Sequence, residues 1–195
     1  MRKSQEYTVS FETDKIKTKP VFYSLVYEWL DSPLYAIILI LLLFTFAFRI
    51  VGVNGESMCP TLSNGDWLTV SSVNTTIENG DIVVVTQPNT LNEPLIKRVI
   101  AKGGDTINID FSTGAVLING EILNEPYIAE ITHRKGDFNG PMVIPEGYLF
   151  VMGDNRNNSL DSRFDTIGLI DERYVLGVAK IRLFPFNDWK INDYE

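Results

Sequence analysis

The chain has 195 residues, with 17 lysines and arginines against 25 aspartates and glutamates, one histidine and one cysteine. That length holds one modest core plus an anchor, not two large domains. A net charge of −8 counts against a nucleic-acid partner, which demands phosphate-neutralising cations, and the lone Cys59 rules out an intramolecular disulfide.

Residues 1–19 are polar and read as loosely ordered. From Pro20 to Asp31 the pairs Val21/Phe22, Leu25/Val26 and Trp29/Leu30 recur every four residues, a helical stripe for which Pro20 is a good first position. With Tyr23, Tyr27 and Trp29 in it, this is either a helix lying on the inner leaflet or an early start of a membrane helix, broken at Ser32-Pro33. Ser32 to Phe48 then runs 17 residues without a charge, at the short end of what crosses a bilayer. The long segment of mixed charge ahead of it, and the lack of a small-x-small site after it, predict a retained signal anchor rather than a cleaved leader.

Basic residues give the orientation. Arg2, Lys3, Lys15, Lys17 and Lys19 precede the apolar run, and no lysine or arginine occurs from Ile50 to Ile96. The positive-inside rule puts the N-terminus in the cytoplasm; Arg49, the contrary residue, can snorkel to the interface. The expected organisation is therefore a cytoplasmic tail over 1–31, a transmembrane anchor over 32–53 and an extracytoplasmic domain over 54–195. Residues 1–49 hold six basic and five acidic groups, leaving 11 and 20 for the rest, so the acidity belongs to that domain.

Beyond residue 60 the period changes. Short β-branched runs recur at Trp67 to Ser71, Asp81 to Thr86, Leu95 to Ala101, Thr106 to Phe111, Ala115 to Ile118, Tyr148 to Met152 and Val175 to Leu183. Turn signals separate them: Asn64-Gly65, Asn79-Gly80, Gly103-Gly104, Asn119-Gly120 and Glu146-Gly147. The domain reads as mainly β, with residues 105–145 a small elaboration on the main sheet.

Which groups could do chemistry? His133 lies in the basic, loop-like Thr132-His133-Arg134-Lys135-Gly136-Asp137, with nothing to orient it as a triad base. One Cys and one His cannot supply three nitrogen or sulfur ligands for zinc, so neither a metal nor a cofactor is expected. A base must then be a carboxylate or a lysine. Lys97 sits between Leu95 and Val99 on one face of a strand, where burial would lower its pKa. Taken alone it reads first as an edge-strand lysine whose head reaches water. Ser57, in Gly55-Glu56-Ser57-Met58-Cys59-Pro60-Thr61-Leu62, is either a nucleophile or a turn residue. A polar loop, Gly153 to Arg163, follows an apolar strand and offers a hydroxyl and an Asp/Arg pair.

Taken together, Ser57-Met58-Cys59-Pro60-Thr61-Leu62, Gly80-Asp81-Ile82-Val83, Lys97-Arg98-Val99-Ile100 with Gly103-Gly104-Asp105, and Gly153-Asp154-Asn155-Arg156 through Ser159-Leu160-Asp161-Ser162-Arg163 resemble the bacterial type I signal peptidases. The resemblance implies an all-β catalytic domain behind one membrane helix, cleaving signal peptides from secretory preproteins with small residues before the cut. By matching position it implies Ser57 as nucleophile, Lys97 as general base and Ser159 as a hydrogen-bond partner of the lysine amine. Asp161 and Arg163 would be a supporting pair, Met58 would line the substrate cleft, and the Ser57 backbone N–H would be an oxyanion donor. Membrane lipid is the other expected partner.

Departures from the pattern are Gly55, where some members carry a hydroxyl donor two places before the nucleophile, and a slightly longer loop after Arg163. Cys59 stands at a variable position and receives no role. The rival readings are a membrane-anchored β-domain that binds or escorts extended peptides without cutting, and a self-cleaving Ser/Lys regulator.

Overall fold

The structure is a computed structural model, which describes residues 33–42, 48–72, 76–88, 93–186 and 189–191. The chain divides into two units, Met1–Leu42 and Leu43–Glu195. In the first, residues 33–42 are helical, with every side chain exposed. No described helix is long and apolar enough to cross a membrane. The stripe expected at residues 20–31 and much of the expected anchor lie outside the described residues.

The second unit is mainly β. Its larger sheet is built from β1 (Phe48–Gly52), β2 (Trp67–Ser71), β3 (Ile82–Val85), β4 (Leu95–Lys102), β9 (Tyr148–Met152), β10 (Ile170–Asp171) and β11 (Val175–Phe184), in the order β1-β2-β11-β3-β4-β9-β10 with every neighbour antiparallel. A smaller sheet holds β5 (Thr106–Asp110), β6 (Ala115–Ile118), β7 (Glu121–Ile122) and β8 (Met142–Val143), ordered β7-β6-β5-β8. A single 3₁₀ turn, Glu172–Tyr174, precedes β11.

Side-chain alternation explains these strands. In β2 the apolar Leu68 and Val70 are buried, while Trp67, Thr69 and Ser71 face outward. β3 is Ile-Val-Val-Val and wholly buried, as a strand covered on both faces must be. One cluster (Val83, Val85, Leu95, Val99, Leu149, Val151 and others) covers one face of the large sheet. On the other face lie two more. Phe150, Met152 and Ile100 pack against Ile107 and Val116 of the small sheet, and Ile82 and Leu68 pack beneath Met58, Leu62 and Ile191. Asn119 and Gly120, at φ 54° and 88°, form the two-residue turn between β6 and β7, a conformation that Asn-Gly adopts readily.

Two expectations need correction. Residues 48–52, assigned by sequence to the anchor, are β1 and pair with β2 through Phe48↔Ser71 to Gly52↔Trp67. An apolar run has no period of its own, and only the partner strand reveals where it turns extended. Likewise 105–145 is not an addition to the main sheet but a four-stranded sheet packed on it.

Candidate active site

Ser57 opens a turn between β1 and β2. The Cys59 N–H donates to the Glu56 carbonyl (3.1 Å) and the Leu62 N–H to the Met58 carbonyl (2.9 Å), so Met58 and Leu62 both plunge into the core beneath. Gly55 reaches φ 94°, a conformation glycine accepts without strain, and its N–H donates to Asn64 Oδ1 (2.9 Å). Thr61 anchors the far end of the turn: its hydroxyl donates to Asp154 Oδ2 (2.5 Å), while its carbonyl accepts from Arg182 Nη2. The core side chains and Thr61 leave the Ser57 side chain little freedom to drift.

β4 brings the base. Strand geometry sends Lys97 and Arg98 to opposite faces, and both are buried, at 4% and 1% exposure. Arg98 is neutralised, with Nε on Asp154 Oδ1 (2.8 Å), Nη2 on Asp154 Oδ2 (2.7 Å) and Nη1 on the Gly80 carbonyl (2.8 Å). Lys97 makes no ion pair among the described residues. Its Nζ lies 2.7 Å from Ser57 Oγ and 3.1 Å from the Ile96 carbonyl. A cation without a counter-charge in so dry a place gives up its proton more readily. Burial pulls the Lys97 pKa down to about 8, with Asp161 and Asp154 only partly opposing that.

The loop after β9 closes the site from below. Gly153 packs directly on the Ser57 carbonyl and on Ser159; a Cβ there would collide with both. The Ser57 carbonyl accepts from the Asn155 N–H (3.0 Å), and its own N–H has no acceptor among the described residues. Asp161 and Arg163 form a fully buried two-pronged pair (Nε–Oδ1 2.8 Å, Nη2–Oδ2 2.9 Å), and Asp161 Oδ2 also accepts from the Gly153 N–H (3.0 Å). This pair therefore holds the residue on which Ser57 rests.

One implied contact is absent. Ser159 Oγ is buried and has no hydrogen-bond partner among the described residues, so it does not hold the Lys97 amine. The carbonyl of Ile96 takes that place. Met58, by contrast, lines the open groove of about 500 Å³ beside the dyad, together with residues 51–55, Glu93–Lys97, Asn158 and Leu160. His133 is an exposed loop residue.

Sequence reasoning did not assign the Arg98–Asp154–Thr61 connection. A charged residue next to Lys97 on a buried strand was a signal that some carboxylate must meet it. Which carboxylate, among several in the 153–165 loop, is decided by the pairing of β4 with β9.

A serine hydroxyl within hydrogen-bond reach of a buried amine, beside an open groove on a β framework, is an arrangement able to support the chemistry of a serine hydrolase. Residues 26–184 match the family of signal peptidases, peptidase S26, and the chain belongs to that family. It is 38% identical to signal peptidase I of Bacillus licheniformis over 180 residues, covering 86% of this chain and 94% of that protein. With signal peptidase I of Bacillus amyloliquefaciens it shares 41% identity over 174 residues (84% and 88% covered), and with signal peptidase IB of Staphylococcus aureus strain COL 32% over 183 residues (86% and 94%). Neither the escort nor the self-cleaving regulator is favoured by this membership.

Proposed function

We propose that Ser57 and Lys97 carry out the peptide-bond cleavage of this serine endopeptidase, which removes signal peptides from preproteins. The observation that carries the reading is the 2.7 Å approach of Lys97 Nζ to Ser57 Oγ with the amine buried. Neutral Lys97 accepts the hydroxyl proton as Ser57 Oγ attacks the scissile carbonyl. The resulting ammonium protonates the leaving amine, the acyl-enzyme remains on Ser57, and Lys97 then takes a proton from the water that releases it. The unengaged Ser57 N–H stabilises the oxyanion, a kind of contact worth roughly 100- to 1,000-fold in rate.

The groove supports an extended substrate. Residues 51–55 and Glu93–Ile96 line it and offer main chain for strand-like pairing, while Met58, Val53, Leu95 and Leu160 add apolar lining suited to small side chains.

The reading extends to the membrane. The uncharged run over residues 32–48 and the basic N-terminal flank support one anchoring span with this domain on the outer face. On the domain itself an apolar face lies exposed: Ile50 of β1, Trp67 of β2, and Ile181 and Phe184 of β11, followed by Phe186 and Trp189. Trp67 and Phe184 are cross-strand partners, and Phe184 and Phe186 meet edge to face at 5.9 Å. Such a face supports contact with lipid, where aromatic side chains are favoured. Holding enzyme and preprotein in one membrane raises their effective concentration without any new contact.

The test is cleavage of a purified preprotein by the full chain in lipid vesicles. Ser57→Ala and Lys97→Ala, each verified as folded by circular dichroism, are expected to abolish it. A folded Lys97→Ala protein retaining a substantial part of the wild-type rate would overturn the assignment.

A further inference from the structure

Between β7 and β8 the chain runs 19 residues, 123–141, without helix or strand. Connections that long and irregular are uncommon in compact domains and are commonly functional. This one lies across the loop that carries Asp154 and Arg163. Asn157 Oδ1 accepts from the N–H groups of His133 (3.0 Å) and Arg134 (3.1 Å), and Arg163 Nη1 donates to the Arg134 carbonyl (2.7 Å).

Among its buried residues is Tyr127, with two guanidinium groups at its ring. Arg98 Cζ lies 4.0 Å and Arg156 Cζ 5.7 Å from the ring centroid. Arg156 is fully buried and gathers three acceptors: Glu125 Oε1 (2.5 Å), Thr132 Oγ1 (3.1 Å) and the Gly153 carbonyl (3.1 Å). Two routes therefore lead from this segment to the dyad. Tyr127 backs Arg98, which holds Asp154 and through it Thr61 of the Ser57 turn. Glu125 and Thr132 hold Arg156, which pins Gly153, the residue on which Ser57 rests.

We propose that residues 125–132 are a strap that sets the spacing of Ser57 and Lys97, with Tyr127 as its positioning residue acting through Arg98 and Arg156. Buried ion pairs of this kind contribute little net stability compared with apolar packing, but their directional bonds fix geometry. The strap rests on the assignment of Ser57 and Lys97 as the reacting pair. It gives the small sheet a purpose: β7 and β8 hold the two ends of the connection, 123–141, that contains the strap.

The experiment is preprotein cleavage by the full chain in vesicles as a function of substrate concentration and pH. A Ser57→Ala control that still cleaves sinks the underlying assignment, whatever the strap does. With that control inactive, Tyr127→Leu should lower kcat about 10- to 100-fold with KM changed less than about twofold, since misplacement acts on the chemical step. The charged groups nearest Lys97 are Asp154 and Asp161, compensated by Arg98 and Arg163. Loosening Arg98 leaves Asp154 less neutralised, so the acid limb of the rate should move to higher pH. Tyr127→Phe, which keeps the ring, should restore both rate and limb. A folded Tyr127→Leu protein with wild-type kcat and limb overturns the proposal. Should that variant fail to fold, Glu125→Gln decides in its place: a several-fold loss of kcat supports the strap, and an unchanged kcat overturns it.

Discussion

Lys97 and Arg98 are neighbours in sequence and both are buried, yet the fold gives them opposite surroundings. Arg98 meets a carboxylate with both prongs and stays charged; Lys97 meets a hydroxyl and a carbonyl and is drawn toward neutrality. In the mechanism proposed above the active form is the neutral amine, so activity should rise with pH as protonated Lys97 is depleted. We expect kcat/KM, measured from acid to alkaline pH, to climb through an apparent pKa of about 8. A flat profile across that range would contradict an amine base. At this scale the sequence narrowed the candidate base to a carboxylate or a lysine, because one loop histidine and one cysteine left few alternatives. The contact of Ser159 with the amine is not made in the structure: neighbours in the chain say nothing of which way a hydroxyl turns once it is packed against Gly153.

The elements that matter most are those that bring distant residues together. β4 carries Lys97, the β1–β2 connection carries Ser57, and the loop after β9 packs on the Ser57 carbonyl by close backbone approach at Gly153. Gly153→Ala would force that contact apart, displacing the Ser57 carbonyl or Ser159. We expect a loss of cleavage of at least about tenfold. The melting temperature should fall by a few degrees, as strain of roughly 1–3 kcal/mol predicts for a domain of this size. An unchanged kcat in that variant would show that the loop does not position Ser57. Alternation between turn signals placed β2, β6 and β9 correctly, since each has one buried and one outward face or is bounded by Gly-containing turns. The two-residue strands β7, β8 and β10 were not legible, being too short to show any period.

For the whole molecule the proposal to test is contact between the domain and lipid. The exposed Ile50 and Trp67 lie on β1 and β2, the strands that flank the Ser57 turn, and Phe184 lies on the neighbouring β11. In a Trp29→Phe protein reconstituted in vesicles, brominated acyl chains should quench the fluorescence of Trp67 and Trp189, the remaining tryptophans. Full protection of both would remove lipid contact from the account. By itself the sequence determined the β character of the domain, the acidic and basic halves, and a short list of groups able to do acyl chemistry, because each depends on residue type and local spacing. Only the tertiary structure decided that β1 begins inside the apolar run, that Asp154 is the carboxylate bound to Arg98, and that the amine of Lys97 is dry. Basicity is set by what surrounds a group, and around Lys97 that means a serine 40 positions away and aspartates more than 50 positions away, brought near by strand pairing.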